Sequence, residues 1–132
     1  MDFDNTVYVI DPDQDLSRSM AALLGTYDIP VKRFVDAESF LEAVPSDSTQ
    51  NSCLLLELEL PGAAGMPLVR QLREQHQNLP IIATCQCASK EVAQQVREAG
   101  ANDFIEKSLV GAYLFNRLSD LIPGADKLPH TE

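Results

Sequence analysis

The sequence is poor in positive charge: ten Lys and Arg stand against twenty Asp and Glu over 132 residues, a net charge of −10. Like-charge repulsion on that scale opposes non-specific binding to DNA, RNA or acidic membranes, so direct nucleic-acid binding by this chain is not expected. Long hydrophobic runs are missing too. Nothing approaches the ~20 apolar residues that a transmembrane helix needs, and the start, MDFDNTVYVIDPDQD, lacks the positive flank of a secretory signal. These absences lead to the expectation of a cytoplasmic protein with no membrane partner. Cysteine is scarce: Cys53, Cys85 and Cys87 are too few and too oddly placed for a disulfide framework. His76 and His130 are the only histidines, which excludes a His-rich metal site. No GxxxxGK[ST], GxSxG or HExxH occurs, so the common phosphate-cradling, hydrolase and zinc-protease signatures are absent.

What is present is ordinary globular composition, 45% hydrophobic and 23% charged. A chain of this length is one domain by default and buries enough surface to hold a core without disulfides. Apolar runs of strand length alternate with helical stripes. Thr6–Ile10 (TVYVI) reads as a first strand, and a helix follows in which Leu16, Met20, Leu23, Leu24 and Tyr27 recur at helical spacing, with Asp15 as its expected cap. Pro30–Val35 is a second strand, and Asp36 caps a short helix carrying Phe40, Leu41 and Val44. Cys53–Leu58 (CLLLEL) is the kind of run that a strand buried on both faces shows, and such strands belong to parallel sheets. After a loop marked by Pro61, Gly62 and Gly65, Pro67 suits a first helical turn, with Leu68, Val69 and Leu72 behind it. Pro80–Thr84 is a fourth strand. Ala88, Val92, Val96 and Ala99 form a helix that stops at Gly100. Asn102–Glu106 is a fifth strand, and Val110–Ile122 is a final helix with Val110, Tyr113, Leu114, Leu118 and Leu121 inward. Residues 1–122 therefore read as one domain and 123–132 as a polar tail or the start of a linker.

Five strands alternating with five helices imply an α/β fold, a parallel sheet covered on both faces. In such sheets ligands bind beyond the carboxyl ends of the strands. The residues there are Asp11 and Asp13, Glu57, Thr84 and Lys107. Acids, a hydroxyl and a lysine thus converge on one rim.

The segments VYVIDPD, CLLLELELPG, LPIIAT and AGANDFIEK, in that order, resemble the receiver domain of bacterial two-component response regulators over nearly the whole chain. The wording of AGANDFIEK and CLLLELELPGAAG is most similar to receivers that carry a LuxR-type helix-turn-helix output domain. The resemblance implies a flavodoxin-like, CheY-like sheet of order 2-1-3-4-5 and signalling by protein contact rather than enzymatic activity. It implies as partners the protein's own DNA-binding output domain or another protein, and a homodimer through the fourth helix, fifth strand and fifth helix, where Leu109 and Tyr113 are candidate interface residues. It also implies residue roles: Glu57 at the phosphoacceptor position, Thr84 and Phe104 as the switch pair, and Lys107 as the family lysine.

Three departures fall in that one pocket. Glu57 stands where the family has an acceptor aspartate; its carboxylate reaches one methylene further, toward the place a phosphoryl group would occupy. Pro12 replaces one of the acidic pair that holds Mg²⁺ in the family, leaving Asp11, Asp13 and Glu57 as a poor oxygen set for a hard cation. No bound metal or other cofactor is therefore expected. Ser108 replaces the proline that usually follows the lysine, so the loop is expected to differ in shape and to aim Lys107 differently. Together these lead to the expectation of a pseudo-receiver that signals without aspartyl phosphorylation. Glu57 is then either a buried structural acid held by Lys107 or a fixed charge read by Thr84 and Phe104. Asp11 and Asp13 also suit a helix entry, and Phe104 suits the core. A stand-alone adaptor remains an alternative. So does a thiol or ligand sensor using Cys85 and Cys87, placed in the loop after the fourth strand, although the bland reading of two reduced thiols is preferred. Cys53 and Cys85 belong at opposite ends of the sheet and are not expected to pair.

Overall fold

β-Branched and aliphatic runs that cannot satisfy their backbone alone pair side by side. In the computed structural model, which describes residues 5–45, 51–60, 66–76, 78–86 and 89–121, five strands form one parallel sheet: β1 (Val7–Ile10), β2 (Val31–Phe34), β3 (Cys53–Glu57), β4 (Ile81–Cys85) and β5 (Asp103–Glu106). The order is β2-β1-β3-β4-β5, as expected. β1 lies between β2 and β3, with Val7 opposite Val31 on one side and Cys53 on the other. β1, β3 and β4 are buried along their whole length, which is why they read as continuous apolar runs.

Side-chain alternation sorts these strands between two cores. Tyr8, Ile10, Leu54, Leu56, Ile81 and Ala83 share one with α2 (Ala37–Ala43), α3 (Met66–Gln75) and α4 (Lys90–Ala99), through Phe40, Leu68, Val69, Leu72 and Val96. Val7, Val9, Cys53, Leu55, Ile82 and Ile105 share the other with α1 (Gln14–Gly25) and α5 (Val110–Leu121), through Met20, Leu24, Leu114 and Leu118. Tyr113, expected inward, is exposed; the inward positions of α5 are taken by Val110, Leu114 and Leu118. The side chains of Leu121 and Ala88, the loop residues Pro61, Gly62 and Gly65, and the tail lie outside the described residues.

Helix entries follow local polar chemistry. The cap of α1 is Asp13, whose carboxylate accepts from Leu16 N at 3.1 Å, not Asp15, which is the second residue of the helix and pairs with Arg18 at 3.8 Å. A carboxylate just before the first turn reaches an orphan N–H that one inside the helix cannot. Asp36 and Ser89 cap α2 and α4 in the same way.

α4 ends at Gly100, whose φ of 124° is open to glycine and costly for other residues. A Cβ there would meet Arg73 Cγ at 2.9 Å, because Arg73 of α3 spans the site. Its Nε donates to Gly100 O at 2.9 Å, Nη1 to His76 O at 3.0 Å and Nη2 to Asn102 Oδ1 at 2.8 Å. Gly100→Ala is expected to lower stability by about 1–3 kcal/mol, through strain and loss of this clasp. Urea unfolding checks it, and an unchanged midpoint would refute the assignment.

His76 is buried at the end of α3, its ring 5.2 Å from Phe40, with Nδ1 unpartnered among the described residues. Burial, helped by the Arg73 charge, holds its pKa below the ordinary 6.5. The unfolded chain takes the proton near 6.5 and the folded one only at lower pH, so this contribution to stability is complete above 6.5 and declines as pH falls below it. Wild type is therefore expected to lose more stability than His76→Gln between neutral and mildly acidic pH, in paired urea titrations.

Candidate functional site

The site is built by the alternation of the strands. Asp11 follows β1 in phase with Val7 and Val9, Glu57 ends β3 in phase with Cys53 and Leu55, and Thr84 lies opposite Glu57 in β4. The Asp11 N–H continues the ladder by donating to Phe34 O at 3.0 Å. All three side chains thus stand at the carboxyl edge of the sheet, on the α1–α5 side. Asp11 and Glu57 are each 4% exposed and Thr84 is 3% exposed.

Two buried carboxylates side by side are tolerable only with a cation between them. Lys107 supplies it from the 3₁₀ turn Lys107–Leu109 that follows β5. Its Nζ stands 3.1 Å from Asp11 Oδ2 and 3.1 Å from Glu57 Oε1. Burial works to lower the lysine's pKa, but its hydrogen bonds and attraction to Asp11 and Glu57 outweigh this and hold it above the ordinary 10.5. Lys107 is therefore aimed into the acidic pocket, contrary to the expectation that Ser108 would redirect it. The turn at Lys107–Leu109 brings the ammonium to the acids without the family proline. Glu57 Oε2 is buried and has no hydrogen-bond partner among the described residues, so the pocket holds one unmatched acceptor.

The other predicted site residues are less concentrated. Asp13 does not join the pocket: it is exposed, its side chain is committed to the α1 cap, and its N–H donates to Asp11 Oδ1 at 2.8 Å. Thr84 Oγ1 donates to Leu56 O at 3.4 Å, back onto the neighbouring strand. Phe104 is partly buried against the α2–α3–α4 core, the core position that its sequence also suits. Cys85 is not in a loop but is the last residue of β4, buried, with Sγ donating to Glu59 Oε1 at 3.5 Å; the strand runs one residue beyond Thr84. Cys87 lies outside the described residues. Cys53 opens β3, and burial, with the Asp103 charge, pushes its thiol up to about 12, an unreactive state.

Sequence reasoning missed two groups. Glu59 was legible only as the second acid of the alternating ELEL. Asp103 sits between Arg97 of α4 at 3.2 Å and Arg117 of α5 at 2.5 Å; no periodicity marks those arginines as converging, because they come from different helices.

The donor set does not fit the Mg²⁺ site that the fold family implies. Asp11 and Glu57 are turned onto an ammonium, Pro12 offers no side-chain oxygen, and Asp13 faces its helix. Among the described residues no group of three or more His, Cys, Asp or Glu is placed to hold a metal ion. A hard cation wants about six oxygens with several from the protein, and two lysine-bound carboxylates are a poor start.

The parallel 2-1-3-4-5 sheet with acids and a lysine at its carboxyl edge is a receiver-like fold, and residues 7–119 match the response regulator receiver domain. The chain belongs to that family. It is 33% identical over 104 residues to the transcriptional regulatory protein FixJ of Rhizobium meliloti (strain 1021), covering 79% of this chain and 50% of that protein. Among solved structures it is similar to FixJ-N (TM-score 0.69, 30% identity, 87% of this chain and 93% of that one). It is also similar to full-length FixJ from B. japonicum (TM-score 0.77, 28% identity, 93% of this chain and 60% of that one). The chain spans about half the length of the curated relatives it matches. No helix among the described residues is long and apolar enough to cross a membrane.

Lys107→Met removes the cation that, among the described residues, faces two buried acids and is expected to cost about 3–5 kcal/mol, against a smaller loss in the double variant Lys107→Met, Glu57→Met, which leaves Asp11 alone without it. Because the lysine's pKa is raised on folding, its contribution is complete below 10.5 and is lost as pH rises past the folded value. Denaturant midpoints of the three proteins, followed into alkaline pH, test both statements.

Proposed function

We propose that this receiver is a pseudo-receiver: it signals by protein–protein contact, independently of aspartyl phosphorylation and of Mg²⁺, as the regulatory domain of a helix-turn-helix transcription regulator. The observation that carries this reading is the closed Asp11–Lys107–Glu57 triad, with Glu57 at the acceptor position. Phosphoryl transfer needs a carboxylate oxygen free to attack and a cation to neutralise the incoming charge. Here one Glu57 oxygen is bound to the ammonium and the other has no partner among the described residues, so the departure lies in the longer acceptor side chain and in the cation site, where Pro12 stands in place of the family's second metal-binding acid. The chain is not an enzyme on this reading. Its extra methylene carries the Glu57 charge into the pocket permanently, with about one charge where a phosphoryl group has ~1.5–2.

The regulatory assignment is supported by the similarity to FixJ, named a transcriptional regulatory protein, and the expected partner is the protein's own DNA-binding output domain. The proposed homodimer face is α4, β5 and α5, where Asp103 ties both helices to the strand through Arg97 and Arg117, and where Leu109 and Tyr113 are each 42% exposed. Placement in the cytoplasm accords with this role.

The test is an NMR titration of the chain with Mg²⁺ and beryllofluoride, combined with sedimentation. The signals of Asp11, Glu57, Thr84 and Lys107 are expected to stay in place and the mass to be unchanged. Saturable shifts at those residues with a change in mass would restore a phosphorylation-type switch. Replacing Glu57 by Ala separates its two roles. A fixed charge that is read moves the Thr84 and Phe104 signals and the oligomeric state, whereas a structural acid changes stability alone.

A further inference from the structure

On the side of the molecule away from the acidic pocket's α1–α5 flank, α2 and α3 leave a groove of about 320 Å³ between them. Its floor is apolar, made by Ala37 and Leu41 of α2 and Leu68 of α3, and Gln71 stands on the α3 wall. Its α2 rim carries Glu38 and Glu42, both exposed.

These two glutamates are oddly placed for a merely solvated helix face. They are four residues apart, so they lie one above the other and repel. Glu42 is in the last turn of α2, at the negative end of the helix dipole, where a cation is favoured. Neither has a cationic partner among the described residues, although the chain forms ion pairs elsewhere, at Asp15, Asp103, Asp11 and Glu57. Glu38, in the first turn, is favoured by the dipole, so it is Glu42 and its repulsion with Glu38 that local helix stability does not explain, and the pair borders an apolar groove.

We infer that the α2–α3 groove is a docking surface for an amphipathic helix of a partner protein with a basic edge. Apolar side chains of that helix enter over Leu41 and Leu68, and two Lys or Arg residues one turn apart meet Glu38 and Glu42. A helix fits because its own i, i+4 spacing matches that of the two glutamates, and because a groove between two helices accepts the ridge of a third. Charge complementarity sets the sign of the partner. The surface is separate from the α4–β5–α5 face and from the Glu57 pocket, and it stands whether or not the domain is phosphorylated.

The test uses the full chain, isotopically labelled, and two synthetic helical peptides of about 15 residues with the same leucine stripe. One carries Lys pairs at i, i+4 along its edge and the other carries Glu pairs. The Lys peptide is expected to produce saturable shifts confined to Ala37–Glu42, Leu68 and Gln71, and to bind about tenfold more weakly when salt is raised from about 50 to about 500 mM. The Glu peptide is expected to leave those signals in place. The double variant Glu38→Gln, Glu42→Gln is expected to bind the Lys peptide about tenfold more weakly while unfolding at the same or a higher temperature. The proposal is overturned if the Lys peptide shifts other surfaces or none, if both peptides bind alike, or if the double variant binds as the parent does.

Discussion

The ammonium of Lys107 is what allows the carboxyl edge of this sheet to exist. The alternation of β1 and β3 carries Asp11 and Glu57 to the same side and the same end, both nearly fully buried. Two buried carboxylates side by side are costly without a cation between them. Lys107 reaches both at 3.1 Å, and to do so the chain must leave β5 in a tight 3₁₀ turn. The position of β5, the start of α5 and the shape of the pocket are therefore tied to one ion-pair geometry.

That geometry engages both acids of the pocket with one ammonium. Pro12 offers no side-chain oxygen, and Asp13, which by sequence position looks able to replace it, is committed to capping α1 through the N–H of Leu16, three residues on. Among the described residues, Glu57 Oε2 has no hydrogen-bond partner.

A second set of polar ties links the helices on the other edge. Arg73 joins α3 to the end of α4 and to the residue before β5, and Asp103 joins β5 to α4 and α5. The strand that precedes Lys107 is thus braced on both sides. The exposed Leu109 ends the 3₁₀ turn that follows it, and the exposed Tyr113 lies in the first turn of α5.

Much of this was legible in the residues. Continuous apolar runs such as CLLLE and PIIAT identified buried parallel strands because burial on both faces leaves no room for polar residues. Their alternation with helical stripes fixed the fold class, and the strand-end residues Asp11, Glu57, Thr84 and Lys107 marked the site because loops at that edge converge. Directions of side chains were not legible. Whether Asp13 or Asp15 caps α1, whether Cys85 ends a strand or starts a loop, and whether Tyr113 faces in or out depend on offsets of one residue that composition does not record. The sequence by itself determined the sheet, its two cores and the rim where the acids meet, since these follow from periodicity and connection length. Only the tertiary structure decided that Lys107 closes on Asp11 and Glu57 together, that Asp103 gathers two arginines, and that Glu38 and Glu42 border a groove. Those facts depend on distances between segments far apart in the chain, which are set when the helices pack.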